Sequence, residues 1–193
     1  MPLLMFLKEA IRRPRQMGAI APSSHALGSI MVDAVGLRPE HVIAEIGAGT
    51  GAITQVIRER VPDAPLVAFE PGEDLAKMLR EQFPNVRVTT KLAHEMPEVL
   101  AEWGHSKVDR VVSGLPWTIW PQAEQDQILS AVAKSMTDDG KLVTFTYVHS
   151  QLLPGAGSLK ALLARHFEKV TRTRIAWGNV PPAFAWLAEN PRR

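Results

Sequence analysis

The chain has 193 residues, enough for one domain with a sizeable core and too few for two ordinary domains. Its hydrophobic fraction of 46% and charged fraction of 22% are typical of a globular protein and exclude a disordered regulator. The absence of cysteine excludes disulfides, thiolate zinc sites, iron–sulfur clusters and a cysteine nucleophile.

The net charge of +2 is unevenly distributed along the chain. Residues 1–25 carry a net charge of +3, residues 26–158 a net charge of −6, and residues 159–193 a net charge of +5. This distribution, with two basic ends and an acidic middle, indicates a polyanionic partner, either a nucleic acid or an anionic membrane. A solvated surface would produce the same pattern, so charge alone leaves the choice open.

The first predicted element is an amphipathic helix that ends near Pro14. At about 100° per residue, its apolar side chains fall on one arc and its charged side chains on the opposite arc. Such a helix either lies in a membrane interface or packs its apolar face on the domain. We expect a membrane-binding segment over residues 1–24 and a folded domain over residues 25–193. The candidate membrane-binding residues are Leu4, Phe6, Leu7, Lys8, Ile11, Arg12, Arg13 and Arg15.

Helices and strands are predicted to alternate from residue 25 onward. The predicted helices span residues 25–36, 52–60, 73–83, 97–103, 122–136 and 158–166. The predicted strands span residues 41–46, 65–70, 85–90, 108–113, 141–149, 170–177 and 183–187. This alternation predicts an α/β fold with a parallel sheet covered by helices on both faces. The last two strands predict an antiparallel edge.

The first predicted strand runs directly into a glycine-rich turn. Gly47, Gly49 and Gly51 follow Glu45 in the order acid-x-Gly-x-Gly-x-Gly, which brings bare backbone against a ligand. The spacing differs from the dinucleotide pattern G-x-G-x-x-G, and no G-K-[ST] follows as in a P-loop. Glu70 ends the second strand, where a carboxylate can accept hydrogen bonds from two ribose hydroxyls. The turn and the acid together predict a site for a nucleotide-like cofactor.

This pattern resembles the first motif of the class I S-adenosylmethionine-dependent methyltransferases. The resemblance implies a Rossmann-like fold, a mostly parallel seven-stranded sheet with an antiparallel carboxyl-terminal edge, S-adenosylmethionine as methyl donor and S-adenosylhomocysteine as product. Leu92 stands where members of the class often have an Asp that meets the adenine amino group, so backbone and apolar contacts must hold adenine here. The implied cofactor-binding residues are Glu45, Gly47, Gly49, Gly51, Glu70, Leu92, Ala93 and Ser113.

Three further stretches resemble the small bacterial phosphatidylethanolamine N-methyltransferases that lack transmembrane spans. They are the amino-terminal segment through Ser24, Ser-Gly-Leu-Pro at 113–116, and W-x-N-x-P-P-A at 177–183. The resemblance implies methylation of a phospholipid amine, up to phosphatidylcholine, by a cytoplasmic enzyme bound peripherally to the anionic inner face of the membrane. Another amino lipid such as ornithine lipid is an alternative acceptor.

An RNA adenine-N6 methyltransferase is the remaining alternative. It is disfavoured because Ser113 stands where amino-methylating enzymes of the class often have the Asn that receives the base. The chain is also too short for the extra carboxyl-terminal domain of the related ribosomal RNA dimethyltransferases. We therefore expect no nucleic-acid partner.

The acceptor pocket is expected to contain aromatic side chains, because each methylated amine is a cation that an aromatic face stabilises by about 0.5–2 kcal/mol. Tyr147 and His149, at the end of the fifth strand, are the catalytic candidates, because either could accept a proton directly or through water. The histidines show no metal-ligand spacing, so no metal is expected. The candidate substrate-binding residues are Gly114, Leu115, Pro116, Trp117, Trp120 and Trp177.

Overall fold

The computed structural model describes residues 25–117, 120–152 and 158–192. The predicted amphipathic helix and the candidate membrane-binding residues lie outside the described residues. Among the helices in these three ranges, none is long and apolar enough to cross a bilayer.

The helices and strands alternate as the sequence predicts. The helices are α1 (His25–Val35), α2 (Ala52–Arg60), α3 (Glu73–Gln82), α4 (Met96–Glu102), α5 (Gln122–Ser135) and α6 (Ser158–His166). The strands are β1 (Ile43–Ile46), β2 (Leu66–Phe69), β3 (Arg87–Thr89), β4 (Val108–Ser113), β5 (Met136–Tyr147), β6 (Phe167–Arg172) and β7 (Ala183–Pro191). Short 3-10 turns follow β3 and β5, at Ala93–Glu95 and Val148–Leu152.

The strands form one seven-stranded sheet in the order β3-β2-β1-β4-β5-β7-β6. The first five strands are parallel to their neighbours, and β7 is antiparallel to both β5 and β6. The predicted fold class is therefore confirmed. The chain passes to β2 on one side of β1 and to β4 on the other, and ligands of such sheets bind outside the carboxyl ends of the strands at this switch point.

The central strands β1, β2 and β4 are buried on both faces of the sheet, which explains their largely apolar sequences. Ala44 and Ile46 of β1 pack in one core cluster with residues of α4, α5 and α6. Ile43 packs in a second cluster with residues of α1, α2 and α3. The strands are thus held rigidly between two helical layers, and their carboxyl ends provide a fixed edge for a site.

The bounds of β5, β6 and β7 differ most from those predicted. β5 begins at Met136, because the register with β4 shifts between Val108 and Arg110 and the expected turn at 138–140 becomes an irregularity within the strand. β5 also ends at Tyr147, so His149 lies in the following 3-10 turn. β6 begins and ends earlier than predicted, and β7 runs on to Pro191.

Candidate active site

The loops that follow β1 and β4 meet with bare backbone. The Gly47 N–H donates to the Phe69 carbonyl at 2.9 Å, and the Gly114 N–H donates to the Ile46 carbonyl at 2.8 Å. A Cβ atom at Gly114 would lie only 2.5 Å from the Gly47 carbonyl oxygen. The two loops therefore approach too closely for any side chain at residue 114.

The tip of the glycine-rich loop faces open space. Gly49 has a φ of +57°, a left-handed conformation that favours glycine, and a Cβ atom there would meet no atom within 4 Å. A Cβ atom at Gly51, in contrast, would lie 2.6 Å from the Phe83 ring. Gly51 thus allows the loop to pack on α3, whereas Gly49 leaves its outer surface free for a ligand.

Glu70 fastens the loop to the end of β2. Its side chain is 4% exposed, and its two carboxylate oxygens accept hydrogen bonds from the Gly49 N–H at 2.8 Å and the Gly72 N–H at 2.9 Å. Burial raises the pKa of this carboxyl, while the two backbone donors oppose that shift. A carboxylate has about four lone-pair sites, so Glu70 retains acceptor capacity for ligand hydroxyls.

Glu45 lies beneath the loop rather than on its surface. The side chain is fully buried, and one oxygen, Oε2, accepts a hydrogen bond from the Thr54 hydroxyl at 2.6 Å. Burial raises the pKa of Glu45 to about 8, helped by the nearby charge of Glu70. The other oxygen, Oε1, has no hydrogen-bond partner within the described part of the chain.

Sequence reasoning did not identify Thr54. The signal is nevertheless visible, because Thr54 is a polar residue beside Ile53 and Val56 in the first turn of α2. A polar residue that a short helix turns toward the sheet is a candidate partner for a buried acid. Its hydroxyl ties α2 to β1 directly under the loop.

The segment after β3 offers backbone and apolar groups rather than a charged side chain. The Leu92 N–H donates to Glu95 Oε2 at 2.6 Å, which starts the 3-10 turn at Ala93. The Leu92 side chain is partly exposed and Ala93 is buried. Where related enzymes often have an Asp, this chain therefore has a 3-10 turn. The acid of that turn, Glu95, is already bonded to the Leu92 backbone.

Ser113, at the end of β4, is held in a buried hydrogen-bond network. The Trp117 indole N–H is shared between Ser113 Oγ at 3.2 Å and Thr144 Oγ1 at 2.6 Å. Ser113 Oγ also accepts from the Leu115 N–H at 3.3 Å. Thr144 belongs to β5 and was not identified from the sequence. The network fixes the loop after β4 to the neighbouring strand.

The structure corrects the expectation that Trp117 and Trp120 present aromatic faces at the mouth of a pocket. Their side chains are 1% and 7% exposed and belong to the core cluster that α5 covers. Gln125 of α5 donates to both of their carbonyl oxygens at 2.8 Å. The large apolar area of two indoles is more stable in the core, so these residues anchor the loop after β4.

Tyr147, His149 and Trp177 lie at the same end of the sheet as the glycine-rich loop. Tyr147 is half-buried, and its ring stacks on His149 with centroids 5.6 Å apart. Burial raises the pKa of the Tyr147 hydroxyl, so it stays protonated at neutral pH. His149 is exposed, and Trp177 is 71% exposed on the loop before β7. In the described part of the chain, no cluster of three acidic or histidine side chains could hold a metal.

Comparisons with known proteins identify the family. The model of the ribosomal RNA adenine dimethylase family matches residues 24–107. An ornithine lipid N-methyltransferase from Singulisphaera acidiphila is 31% identical over 187 residues, which cover 95% of this chain and 93% of that protein. This chain belongs to the class I S-adenosylmethionine-dependent methyltransferases.

Two further proteins are similar to this chain, one in sequence and one in fold. Ribosomal RNA small subunit methyltransferase A from Thermotoga petrophila is 34% identical over 84 residues, covering 42% of this methyltransferase and 32% of that protein. The structure of magnesium protoporphyrin IX methyltransferase from Synechocystis, solved with bound S-adenosylmethionine, superimposes with a TM-score of 0.65. It shares 14% identity, and the match covers 96% of this chain and 84% of that chain, which shows a common fold.

The cofactor of this methyltransferase is S-adenosylmethionine, and the residues of the loop fit it. A Cβ atom at Gly49 would stand in open space, so the backbone at the tip of the loop is accessible to a ligand. Glu70 lies beside that tip with acceptor capacity left over. Among the described residues, the buried Glu45 Oε1 is a polar atom in need of a partner beneath the same loop.

Proposed function

We propose that this methyltransferase transfers methyl groups to the amine of a membrane lipid, with ornithine lipid as the first substrate to test. The observation that carries the proposal is the similarity to the ornithine lipid N-methyltransferase, which extends over 95% of this chain and 93% of that protein. Phosphatidylethanolamine, the first expectation from the sequence, takes second place. The motifs at 113–116 and 177–183 keep it as a candidate.

The similarity to the ribosomal RNA enzymes covers too little of the chain to argue for an RNA acceptor. The adenine dimethylase model ends at residue 107, immediately before β4. The segment from Ser113 to Trp117, where an acceptor would approach, lies outside that match. What is shared with the RNA enzymes is therefore the half of the domain that carries the cofactor loop, and this half does not distinguish one acceptor from another.

On this proposal, the glycine-rich loop and Glu70 hold the cofactor. When bound, S-adenosylmethionine would supply an electrophilic sulfonium methyl group to a neutral amine, with S-adenosylhomocysteine as the leaving group. Gly49 would leave the backbone at the tip of the loop open to the cofactor, while Gly47 and Gly51 let the loop pack closely on Leu115 and Phe83. Glu70 would accept hydrogen bonds from the ribose hydroxyls. Glu45 supports the loop from beneath. The turn at Leu92 and Ala93 provides apolar contact and backbone groups for adenine, and Ser113 closes the pocket with its main chain.

The chain's task at the acceptor is to position the amine and remove its proton. Gly114, Leu115 and Pro116 present their backbone at the switch point, where the contact with Gly47 and the Trp117 network hold it fixed. Fixed positioning of two reactants contributes several kcal/mol to a transfer of this kind. Because Tyr147 stays protonated, we assign its hydroxyl a hydrogen-bonding role and assign His149 the proton acceptor role.

We also propose that residues 1–24 anchor the enzyme peripherally on the anionic inner face of the cell membrane, as the amphipathic pattern indicates. The substrate is itself part of the membrane, so the open edge of the sheet must face the bilayer. Cationic side chains near an anionic surface each contribute about 1 kcal/mol to such binding, and less at high salt.

The experiment supplies S-adenosylmethionine with a labelled methyl group together with ornithine lipid, phosphatidylethanolamine or ribosomal RNA in separate reactions. We expect label in ornithine lipid, with phosphatidylethanolamine second. Glu70→Ala should lower cofactor affinity more than 100-fold, since each charge-assisted hydrogen bond contributes about 1.5–3 kcal/mol. Glu73→Ala, which removes an exposed acid three residues away, is the matched control and should bind normally. Label in RNA alone would refute the proposal.

A further inference from the structure

One loop at the edge of the candidate site exposes large apolar side chains. Trp177 is 71% exposed and Val180 is 80% exposed, and these two are the exposed large hydrophobic residues among those described. They lie three residues apart between β6 and β7. A tryptophan and a valine left in water on the same short loop mark a surface that another apolar phase covers.

The loop lies at the carboxyl edge of the sheet, where the glycine-rich loop also lies. Ala183 at the start of β7 pairs with Tyr147 at the end of β5. The Ala176 N–H donates to the Ala183 carbonyl at 2.7 Å, and the Val148 N–H donates to the Pro182 carbonyl at 2.9 Å. Whatever covers Trp177 therefore also lies beside the acceptor end of the site.

The conformation of the loop is held from within. Asn179 is 4% exposed, and its side-chain N–H donates to the Pro181 carbonyl at 2.7 Å. Its backbone N–H donates to the Ala176 carbonyl at 3.2 Å. Because the polar residue is buried and the apolar residues are exposed, the loop is already arranged for contact and has little freedom to lose on binding.

Basic side chains flank the loop. Arg172, the last residue of β6, and Arg174 are both exposed. Arg172 pairs with Trp186 and Ala176 pairs with Ala183, so the chain from Arg172 to Ala176 runs toward the carboxyl ends of the strands. The Arg172 guanidinium lies 5.2 Å from the centroid of the Phe184 ring. At the opposite end of β7, in contrast, Lys141 and Lys169 both pair with Glu189. The apolar loop thus lies next to cations, a combination that suits an anionic lipid surface.

We infer that Trp177 and Val180 form a membrane-docking loop, which inserts into the interface of an anionic bilayer while Arg172 and Arg174 contact the headgroup phosphates. The inference rests on the proposed function, because a bilayer-embedded amine must be presented at this edge. It adds a docking element carried by the folded domain itself, so residues 1–24 do not act alone. The docked loop orients the carboxyl edge of the sheet toward the headgroups.

The apolar part of the loop is tested by sedimentation with vesicles of phosphatidylethanolamine and phosphatidylglycerol. We expect the double variant Trp177→Ser, Val180→Ser to bind at least tenfold more weakly than the wild type. Calorimetric titration with S-adenosylmethionine should give unchanged affinity, which verifies that the variant is folded. Vesicle binding equal to that of the wild type would overturn the inference.

The charged part is tested with matched arginine pairs. Arg172→Glu with Arg174→Glu should weaken vesicle binding at least tenfold, and the effect should shrink at high salt. Arg80→Glu with Arg87→Glu changes the same charge at exposed positions on the far, β3 side of the sheet, and should alter binding less than twofold. Equal losses from both pairs would show general electrostatic attraction without a docking loop.

Tryptophan fluorescence tests whether lipid, rather than protein, covers the loop that carries Trp177. Brominated lipids should quench the wild type and leave Trp177→Phe unquenched, because the other four tryptophans are buried or half-buried. If acrylamide fails to quench Trp177 in the protein without lipid, residues 1–24 or a second copy of the chain cover the loop, and the inference is wrong.

A detergent assay separates this inference from the proposed function. Methyl transfer by the wild type to ornithine lipid and phosphatidylethanolamine in mixed micelles needs no bilayer and tests the function alone. Transfer in micelles with vesicle binding unaffected by the loop variants would refute the loop and keep the function. Loss of vesicle binding in the loop variants without any lipid methylation would support the loop and refute the function.

Discussion

The candidate site lies at the carboxyl ends of the strands, and both halves of the domain, before and after residue 108, contribute loops to it. The two halves hold their loops in place by different interactions. In the first half, the loop is held mainly through the backbone, because Glu70 accepts hydrogen bonds from the main-chain N–H groups of Gly49 and Gly72. In the second half, the loop after β4 is fixed by side chains, namely Ser113, Trp117 and Thr144. The ribosomal RNA family model matches the backbone-built half. On our proposal, the backbone-built half holds the cofactor that many enzymes share, and the half fixed by side chains selects the acceptor.

The largest effect is expected from adding a methyl group to the glycine-rich loop, which tests whether the first half binds the cofactor through its backbone. Gly49→Ala should lower S-adenosylmethionine affinity about 100-fold, because the new Cβ atom enters the open space that we assign to the cofactor. Gly36→Ala is the matched control, since Gly36 also has a left-handed φ, +65°, with no atom within 4 Å of a Cβ atom. Each variant should lose roughly 1 kcal/mol of stability from the left-handed backbone. Equal cofactor affinity in both, measured by calorimetry, would contradict the assignment.

The second half should respond in the opposite way, with lost stability and normal cofactor binding. Trp117→Phe removes the N–H that Ser113 and Thr144 share, and leaves two buried hydroxyls without that donor. We expect the free energy of unfolding to fall by about 1–3 kcal/mol in urea titrations, with cofactor affinity within twofold of the wild type. Trp103→Phe, at a half-buried tryptophan outside the network, should cost less than 1 kcal/mol. A large loss of cofactor affinity in Trp117→Phe would remove the distinction between the halves.

The difference between the two halves also explains why the sequence predicted the glycine-rich loop but not the burial of Trp117. The positions of Gly47, Gly49 and Gly51 after β1 and of Glu70 after β2 follow from short stretches of sequence, so these parts of the fold were predicted correctly. The contacts of these residues with the cofactor remain a prediction. The burial of Trp117 depends on Thr144, which comes 27 residues later and meets it only after β4 and β5 pair. A tryptophan after a strand looks the same in sequence whether it faces a ligand or the core.

A third test concerns the pH dependence of stability. Glu45 has an ordinary pKa of 4.5, which burial raises to about 8 in the folded protein. Between these values the unfolded chain has released this proton and the folded chain retains it, so raising the pH favours unfolding. The resulting slope, at most about 1.4 kcal/mol per pH unit, should flatten above about pH 8.

Urea titrations between pH 5.5 and 8.5 check this sign. Glu45→Gln should lack that part of the slope, since glutamine does not titrate. Glu59→Gln, at an exposed carboxyl whose pKa is lowered by hydrogen bonds from Gln55 and His25, should keep the wild-type slope over the same range. A Glu45→Gln profile parallel to that of the wild type would show that Glu45 is ionised in the folded protein.

The smallest expected effect concerns the hydroxyl of Tyr147. Burial raises its pKa, so the hydroxyl is protonated at neutral pH and is a weak base. Tyr147→Phe keeps the ring that packs on Phe145 and stacks on His149, and we expect kcat to fall less than fivefold with KM and cofactor affinity unchanged. Tyr147→Ala removes the ring and should lower kcat at least tenfold through the displacement of His149. If Tyr147→Phe alone lowered kcat 100-fold, the hydroxyl would belong to the proton path, and the acceptor half would depend on a reactive side chain as well as on packing.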